Sequence, residues 1–576
     1  MTEKLIIDIE TDGLAPTKVW LIGLKDYQTG LKTSLSYPYN VQEIQNVLNR
    51  YDSIITHNGI DFDIPVLERL LGLDFSKHTM VDTLVLSRLY NPQLEDGHSL
   101  KSWGIRLHFP KGEYDDWTQL TPEMIKYCEQ DLDVTHRVYD TLIDRLQPFK
   151  GESIELEHDV QKIISQQMKN GWLLDQAKCY DLLAELKQRK MEVEDEVHEK
   201  FKPLGTFVKE VVPKYKKDGT LSIVGIRFLG DLWNVVSGPF SRIDFPEFNL
   251  GSRQQIGRYL QYFGWKPTNF TEKGSVIVDE DVLSKVQGIP EAKMIAEYLL
   301  IQKRQAQVTS WIEAVEDDGR VHGYVNAIGA VTGRMTHSSP NLAQVPASYS
   351  PYGMECRSCW IVPKGKKLVG IDASGLELRM LAHYMNDKEY TNEIIDGDIH
   401  TRNQKSAGLS SRDDAKVFIY AFLYGAGDSK IGSIIGGGKG AGRKLKDQFI
   451  ANTPAIKSLR ERVDNVSVRG HLLGLDGRRL AIRSAHAALN TLLQGAGAVI
   501  MKKALTLLNF DGRIIHGSYS FLGNIHDEFQ VEVDEDKAEE FGRIAVESIK
   551  AAGVHFNLRC PLDGNYKVGT TWADTH

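Results

Sequence analysis

Short apolar runs broken by turn residues mark both ends of the chain. Near the start, KLIIDIETDGL (4–14) has an apolar strand pattern, so Asp8 and Glu10, two apart, point to one face. THNGIDFDIPVL (56–67) sets Asp63 after an Asn-Gly turn and ahead of an apolar run. YCEQDLDVT (127–135) has helical spacing, which puts Tyr127 and Asp131 at i and i+4 on a shared face. In the far half, KLVGIDASGLELRMLAHYM (367–385) predicts a strand passing into a helix, with Asp372 at the strand end and Glu377 in the first helical turns. GNIHDEFQVEV (523–533) reads as two alternating strands meeting at a tight junction, and that junction holds His526, Asp527 and Glu528. Between these segments, SSRDDAKVFIYAFLYGAG (410–427) predicts one helix: Ser411 caps it, Asp413 and Asp414 suit its first turn, and Gly425 ends it. Arg412, Lys416, Tyr420 and Tyr424 recur every four residues and form one stripe.

A length of 576 residues exceeds one ordinary core and predicts two or three domains. The 41% hydrophobic and 25% charged content is that of a globular protein and excludes a long disordered tail. Five cysteines do not make a disulfide framework, and the single C-x-x-C, Cys356 and Cys359, lacks partners for a zinc site, so a reduced, intracellular protein is expected. No apolar run reaches the roughly 18 residues of a membrane span, and the start enters a strand pattern rather than a signal peptide. The expectation is a soluble, unprocessed chain. A net charge of −8 argues against nucleic-acid binding only on average, because metal-binding carboxylates can outweigh a basic groove in the sum.

The acids change the picture. Asp8 and Glu10 share one patch of sheet and repel unless a cation lies between them; oxygen-only ligands favour Mg2+ or Mn2+. With Asp63, Asp131 and Tyr127 the first segment offers four acids and a phenol. An acid at a strand end is commonly an N-cap, but if Asp527 lies beside Asp372 the two make a second carboxylate site of the kind phosphoryl transfer requires. The helical stripe of two cations followed by two aromatics suits a molecule with a polyanionic and a flat end, such as a nucleoside triphosphate. His400, in GDIHT (397–401), could reach the same phosphates.

The first group, in its order within the first 150 positions, resembles the proofreading 3'-5' exonuclease family in its Tyr variant; HSLKSWGIRL (98–107) and DTLVLSRLY (82–90) resemble its framework. The resemblance implies a two-metal hydrolysis in which Asp8, Glu10, Asp63 and Asp131 hold the ions and Tyr127 orients the attacking water. AVTGRMTHSSPNLAQVP (330–346), with the Asp372, Arg412–Gly425 and His526–Glu528 blocks, resembles the motifs of the family A DNA polymerases. HAALNTLLQ (486–494) and TWADTH (571–576) most resemble replicative enzymes of short-tailed bacteriophages.

The implied fold is α/β and α+β multidomain: an RNase H-like exonuclease domain over 1–150, then a right-hand polymerase over 151–576, with thumb about 155–300, palm about 300–395 and 500–576, and fingers about 396–500. By the same resemblance Asp372, Asp527 and Ala373 bind two Mg2+, Glu528 supports them, and His400, Arg412 and Lys416 neutralise the triphosphate, Lys416 also protonating the leaving group. Glu377 is implied as the ribose gate, through its carboxylate or the Tyr420 ring it holds. Tyr420 also implies acceptance of chain-terminating dideoxynucleotides, and Tyr424 completes the nucleotide pocket. Arg334 and Gln494 match donors into the minor groove, with His526, His486 and Asn490 as further DNA contacts. Partners implied are primer-template DNA, dNTPs, a replicative helicase-primase and, less directly, a thioredoxin-type processivity factor. The stretch that would bind it, roughly 202–245, is short and carries one basic patch, KYKK (214–217), and Trp233, so a small self-folded element competes with that reading. Two further readings stand beside the replicative one: a bacterial-type repair polymerase without the 5' nuclease, and a single-subunit RNA polymerase-like enzyme, which lacks an acid at the Glu377 position.

Overall fold

The computed structural model describes residues 3–149 and 151–576, which form two compact units, one of residues 3–149, 151–174 and 314–576 and one of residues 175–313. In the first unit, β1 (Lys4–Thr11) lies at the centre of a five-stranded sheet with β2 (Val19–Asp26) and β3 (Lys32–Ser36) on one side and β4 (Ser53–Thr56) and β5 (Thr79–Asp82) on the other. The β1–β2 and β2–β3 pairs are antiparallel, while β4 and β5 run parallel to β1. The near-continuous burial of β1 fits this central place, since a strand covered on both faces loses its alternation.

Helix α1 (Pro122–Leu146) packs across β1 and β2, with Thr121 as N-cap and a proline in its first turn. Gly23 makes the close approach workable: a Cβ there would lie 2.5 Å from Cys128 Sγ. Opposite Gly23 on the neighbouring strand is Asp8, so this contact brings the Tyr127–Asp131 turn to the first acid.

Helix α2 (Gly151–Asn170) then leads into a second, all-antiparallel sheet of β6 (Lys366–Ala373), β7 (Tyr519–Ile525), β8 (Glu528–Asp534) and β9 (Gly564–Gly569), in the order β7-β8-β6-β9. A single apolar core runs from Ile6 and Ile55 through Val160 and Ile164 of α2 to Val369 and Val531 of this sheet.

The second unit pairs two long helices, α3 (Gln176–Lys200) and α4 (Glu291–Glu313), around Val193, Val197, Phe201, Tyr259 and Ile295. It begins and ends later than the thumb bounds of about 155 and 300 expected from the sequence, because the apolar face of α2 is buried in the first unit. Its 206–244 segment is two small hairpins, Thr206–Val211 with Phe240–Asp244 and Lys214–Tyr215 with Leu221–Ser222, and short 3-10 turns.

Candidate active sites

The first centre is assembled on one end of the first sheet. Asp8 and Glu10 project from β1, Asp63 opens the helix Asp63–Leu71, and Tyr127 and Asp131 come from α1. Asp63 is placed by two contacts: its Oδ1 accepts from the Ile9 N–H at 3.1 Å, and the preceding Asn58–Ile60 turn is tied to the buried Asp82 carboxylate by the N–H groups of Asn58 (2.8 Å) and Ile60 (3.1 Å). Asp8, Glu10 and Asp131 line a cavity of about 310 Å³ with Tyr127, Leu14, Phe62, Lys111 and Trp117. Burial raises Glu10 to about 8 and Asp63 to about 7, helped by neighbouring acids, and lifts Asp8 well above the ordinary range. Glu10 Oε1 and Asp131 Oδ1 are buried without a hydrogen-bond partner among the described residues. Desolvated carboxylate oxygens with no donor are the donor set of a hard divalent cation, so the residues present fit a metal centre. Asp8, Glu10 and Cys128 bring ligand atoms within 4.8 Å of one another; burial holds the Cys128 thiol protonated, which leaves the carboxylates as the ligands.

At the second centre, β6 and β8 pair in a register that sets Asp372 directly opposite Glu528, and the Ala373 N–H donates to the Asp527 carbonyl at 3.1 Å. His526 takes a left-handed conformation (φ 60°), which turns the chain between β7 and β8 and places Asp527 at the end of β6. Asp372 and Asp527, 155 positions apart in sequence, thus meet at one end of the two inner strands. Partial burial and then the charges of Asp527, Glu528 and Glu377 raise Asp372 to about 7; burial and then Glu377 raise Asp527 to about 6. Glu528 differs. Burial alone would raise it, but bonds to its Oε1 from Trp572 Nε1 (3.0 Å), His576 Nε2 (3.1 Å) and Gln530 hold it below its ordinary value. Gly370 leaves room for this network, since a Cβ there would lie 2.6 Å from Gln530 Nε2.

Helix α5 (Leu376–Met385) follows β6 and presents Glu377; helix α6 (Arg412–Leu423) carries the stripe and is capped by Ser411, whose Oγ accepts from the Asp414 N–H at 3.0 Å. His400 faces Tyr420 with ring centroids 6.4 Å apart, and burial together with the charges of Arg412 and Lys416 lowers its pKa, so a neutral imidazole neighbours the two cations. Arg412 is engaged by an acid the sequence reading did not single out: its Nε and Nη2 donate to Asp398 at 2.7 and 3.2 Å. One expectation changes. The tyrosine that Glu377 holds is Tyr424, whose hydroxyl donates to Glu377 Oε1 at 3.0 Å, and Arg334 bonds the same oxygen at 3.1 Å. Tyr420 stacks on Tyr424 at 6.4 Å, one helical turn nearer the cations.

Helix α7 (Ala488–Asn509) carries Asn490 and Gln494 four residues apart. His486, just before it, lines a separate cavity of about 290 Å³ with Phe422, Lys446 and Arg460. Beyond Asp398, sequence reasoning missed Lys111, Trp117, Trp572 and Gln530. KGEYDDW (111–117) offered an aromatic-basic pattern, and TWADTH supplied a Trp and a His, but their partners lie far along the chain.

The profile of DNA polymerase family A matches residues 237–574. The chain belongs to family A of the DNA polymerases. In this family A polymerase, residues 5–143 match the RNase H superfamily, as the first sheet suggests. The DNA-directed DNA polymerase of Enterobacteria phage T3 is 35% identical, with 99% of this chain and 100% of that protein covered; that of Escherichia phage T7 is 34% identical with the same coverage. The fold is that of the POL domain of Pol1 from M. smegmatis, solved with DNA primer-template and dNTP: TM-score 0.79 at 18% identity, covering 100% of this chain and 96% of that one. The expected fold class and the phage-type polymerase reading hold over the repair and RNA polymerase alternatives. Enzymes of both families generally depend on divalent metal.

Proposed function

We propose that this family A enzyme copies phage DNA from a primer-template with dNTPs and removes misplaced 3' nucleotides at its first centre. The observation that carries this is the presence of two separate carboxylate centres in one chain, Asp372 with Asp527 and Asp8 with Glu10, Asp63 and Asp131.

Asp372, Asp527 and the Ala373 carbonyl would hold one pair of Mg2+ and the first-centre acids another, with Mn2+ as substitute; such ions would supply activation of the attacking oxygen and neutralisation of charge on phosphate. Glu528, fixed by Trp572 and His576, supplies negative charge beside Asp372 without being free to swing. His400 and Lys416 bind the triphosphate, joined by Arg412 once phosphate competes with Asp398 for the guanidinium. Lys416 gives a proton to departing pyrophosphate. Glu377, pinned by Tyr424 and Arg334, excludes a ribose 2'-hydroxyl. Gln494, Arg334, His526, Asn490 and His486 contact the DNA, and Tyr127 orients water for hydrolysis.

Primer extension and 3'-end degradation by two variants test the division of labour. Asp527→Asn should abolish synthesis and spare degradation, and Asp8→Ala should do the reverse; if either change removed both activities, the two-centre reading would be wrong.

A replicative helicase-primase and the cytoplasm of an infected bacterium are the working partner and place by analogy with the phage relatives. A thioredoxin-type factor is supported by the apolar chains left exposed on the 206–245 hairpins, among them Phe207, Val212, Leu232 and Phe245. Product length with and without reduced thioredoxin checks it; no change removes this partner.

A further inference from the structure

Lys111 belongs to no motif used above, yet its side chain, 22% exposed, reaches into the first centre. Its ammonium pairs with Asp131 Oδ2 and lies 4.5 Å from the centroid of the Tyr127 ring. The Asp131 carboxylate is thereby divided: Oδ2 is engaged, while Oδ1 is buried with no partner among the described residues. Asp63 is also anchored at one oxygen, its Oδ1 accepting from the Ile9 N–H. Among the described residues Lys111 is the one lysine or arginine lining this cavity, and its charge acts on Asp8, Glu10 and Asp63 as well as on Asp131. Four acids thus share one built-in cation.

We propose that Lys111 is a positioning residue of this centre: it grips Asp131 Oδ2 so that Oδ1 points into the cavity, steadies the Tyr127 phenol, and is the resident counter-ion of the four acids when no divalent ion is bound. The proposal rests on the 3'-5' exonuclease reading above. It has two consequences of opposite sign. Removing the ammonium relieves competition for the carboxylates, so a divalent ion binds more tightly. The same change releases Asp131 and Tyr127 from their orientation, so hydrolysis slows. Damage to the local fold would weaken both.

The test uses the full chain with Lys111→Met, Lys111→Gln and Lys111→Arg, in an Asp372→Asn/Asp527→Asn background so that Mn2+ binding reports the first centre. Mn2+ affinity is read by calorimetry, thermal stability is read in EDTA, and hydrolysis is followed on a single-stranded 3' end. The neutral variants should bind Mn2+ roughly threefold or more tightly than the parent. They should melt earlier in EDTA, with the deficit closed by Mn2+, and hydrolyse about 10–100-fold more slowly at saturating metal. Lys111→Arg, which keeps the charge, should recover most of the rate. Neutral variants that bind Mn2+ no more tightly, or that hydrolyse at the parental rate, overturn the proposal. Asp8→Ala separates the two ideas: if it hydrolyses as fast as the parent, the exonuclease reading has failed, whereas if it is inactive while Lys111→Met matches the parent, only the role of Lys111 is lost.

Discussion

Asp372 and Asp527 hold their protons to about 7 and about 6 because burial and then neighbouring acids oppose ionisation, and Glu10 and Asp63 do so to about 8 and about 7 for the same reason. Free carboxyls ionise near about 4, so between roughly pH 4 and 8 these four groups bind more protons in the folded chain than in the unfolded one. The contribution of these four groups to the stability of the metal-free protein is therefore fully present below that window and is lost as pH rises through it. A divalent ion held by these carboxylates would take the place of the protons. The melting-temperature gap between samples in Mg2+ and in EDTA should widen from about pH 5.5 to about pH 8, and Asp372→Asn/Asp527→Asn should reduce the widening. A gap that stayed constant with pH would sink this reading. At the neighbouring Glu377, the bond from Tyr424 sets the carboxylate's direction. Tyr424→Phe should raise ribonucleotide incorporation part of the way toward Glu377→Ala, while Tyr420→Phe should instead lower dideoxynucleotide incorporation relative to deoxynucleotides. Single-nucleotide insertion kinetics with the three nucleotide types separates the two tyrosines.

At the scale of elements, α6 was legible because everything that defines it is local: an N-cap, acids in the first turn, a four-residue repeat and a terminating glycine. The β6–α5 junction and the β7–β8 turn were legible for the same reason, and they carry Asp372, Asp527 and Glu528. What could not be read were pairings fixed by packing between distant segments. Asp398 lies 14 residues before Arg412, Lys111 lies 20 before Asp131, and Trp572 lies 44 after Glu528, and no periodicity links them. The misassigned tyrosine has this origin too, since Tyr420 and Tyr424 share one stripe and only the placement of α5 decides which meets Glu377. The cap of α6 gives a test at this scale. Ser411→Ala leaves the Asp414 N–H without its acceptor and should cost about 1 kcal/mol of local helix stability. Because the cations sit in the first turns, fraying there should raise KM for dNTP more than it lowers kcat; an unchanged KM would detach the cap from nucleotide binding.

Across the molecule, the residues that follow the first sheet are joined to the polymerase core by a buried charge network. Glu157 of α2 meets Lys502 of α7 at 2.7 Å and Arg478 at 2.5 Å, and Arg478 meets Asp476 at 2.6 Å, all with side chains no more than 2% exposed. Two anions and two cations balance. Burial with an unpaired charge is costly, whereas balanced or apolar replacement is tolerated, so the sign of a double mutant is informative. Lys502→Met alone leaves one excess buried negative charge and should destabilise by about 3–5 kcal/mol. Glu157→Gln alone leaves an excess positive charge and should do likewise. Combined, the two changes leave Arg478 with Asp476, a neutral pair, and the double variant should melt above either single variant. Arg478 also packs against Gly333, where a Cβ would lie 2.8 Å from its Nη1, and the next residue is Arg334, which bonds Glu377. The single variants should therefore disturb nucleotide selection as well as stability, and the double variant should restore both. Melting temperatures that simply add, with the double variant lowest, would mean that the four charges act independently and that α2 is held to the polymerase core by its apolar face alone.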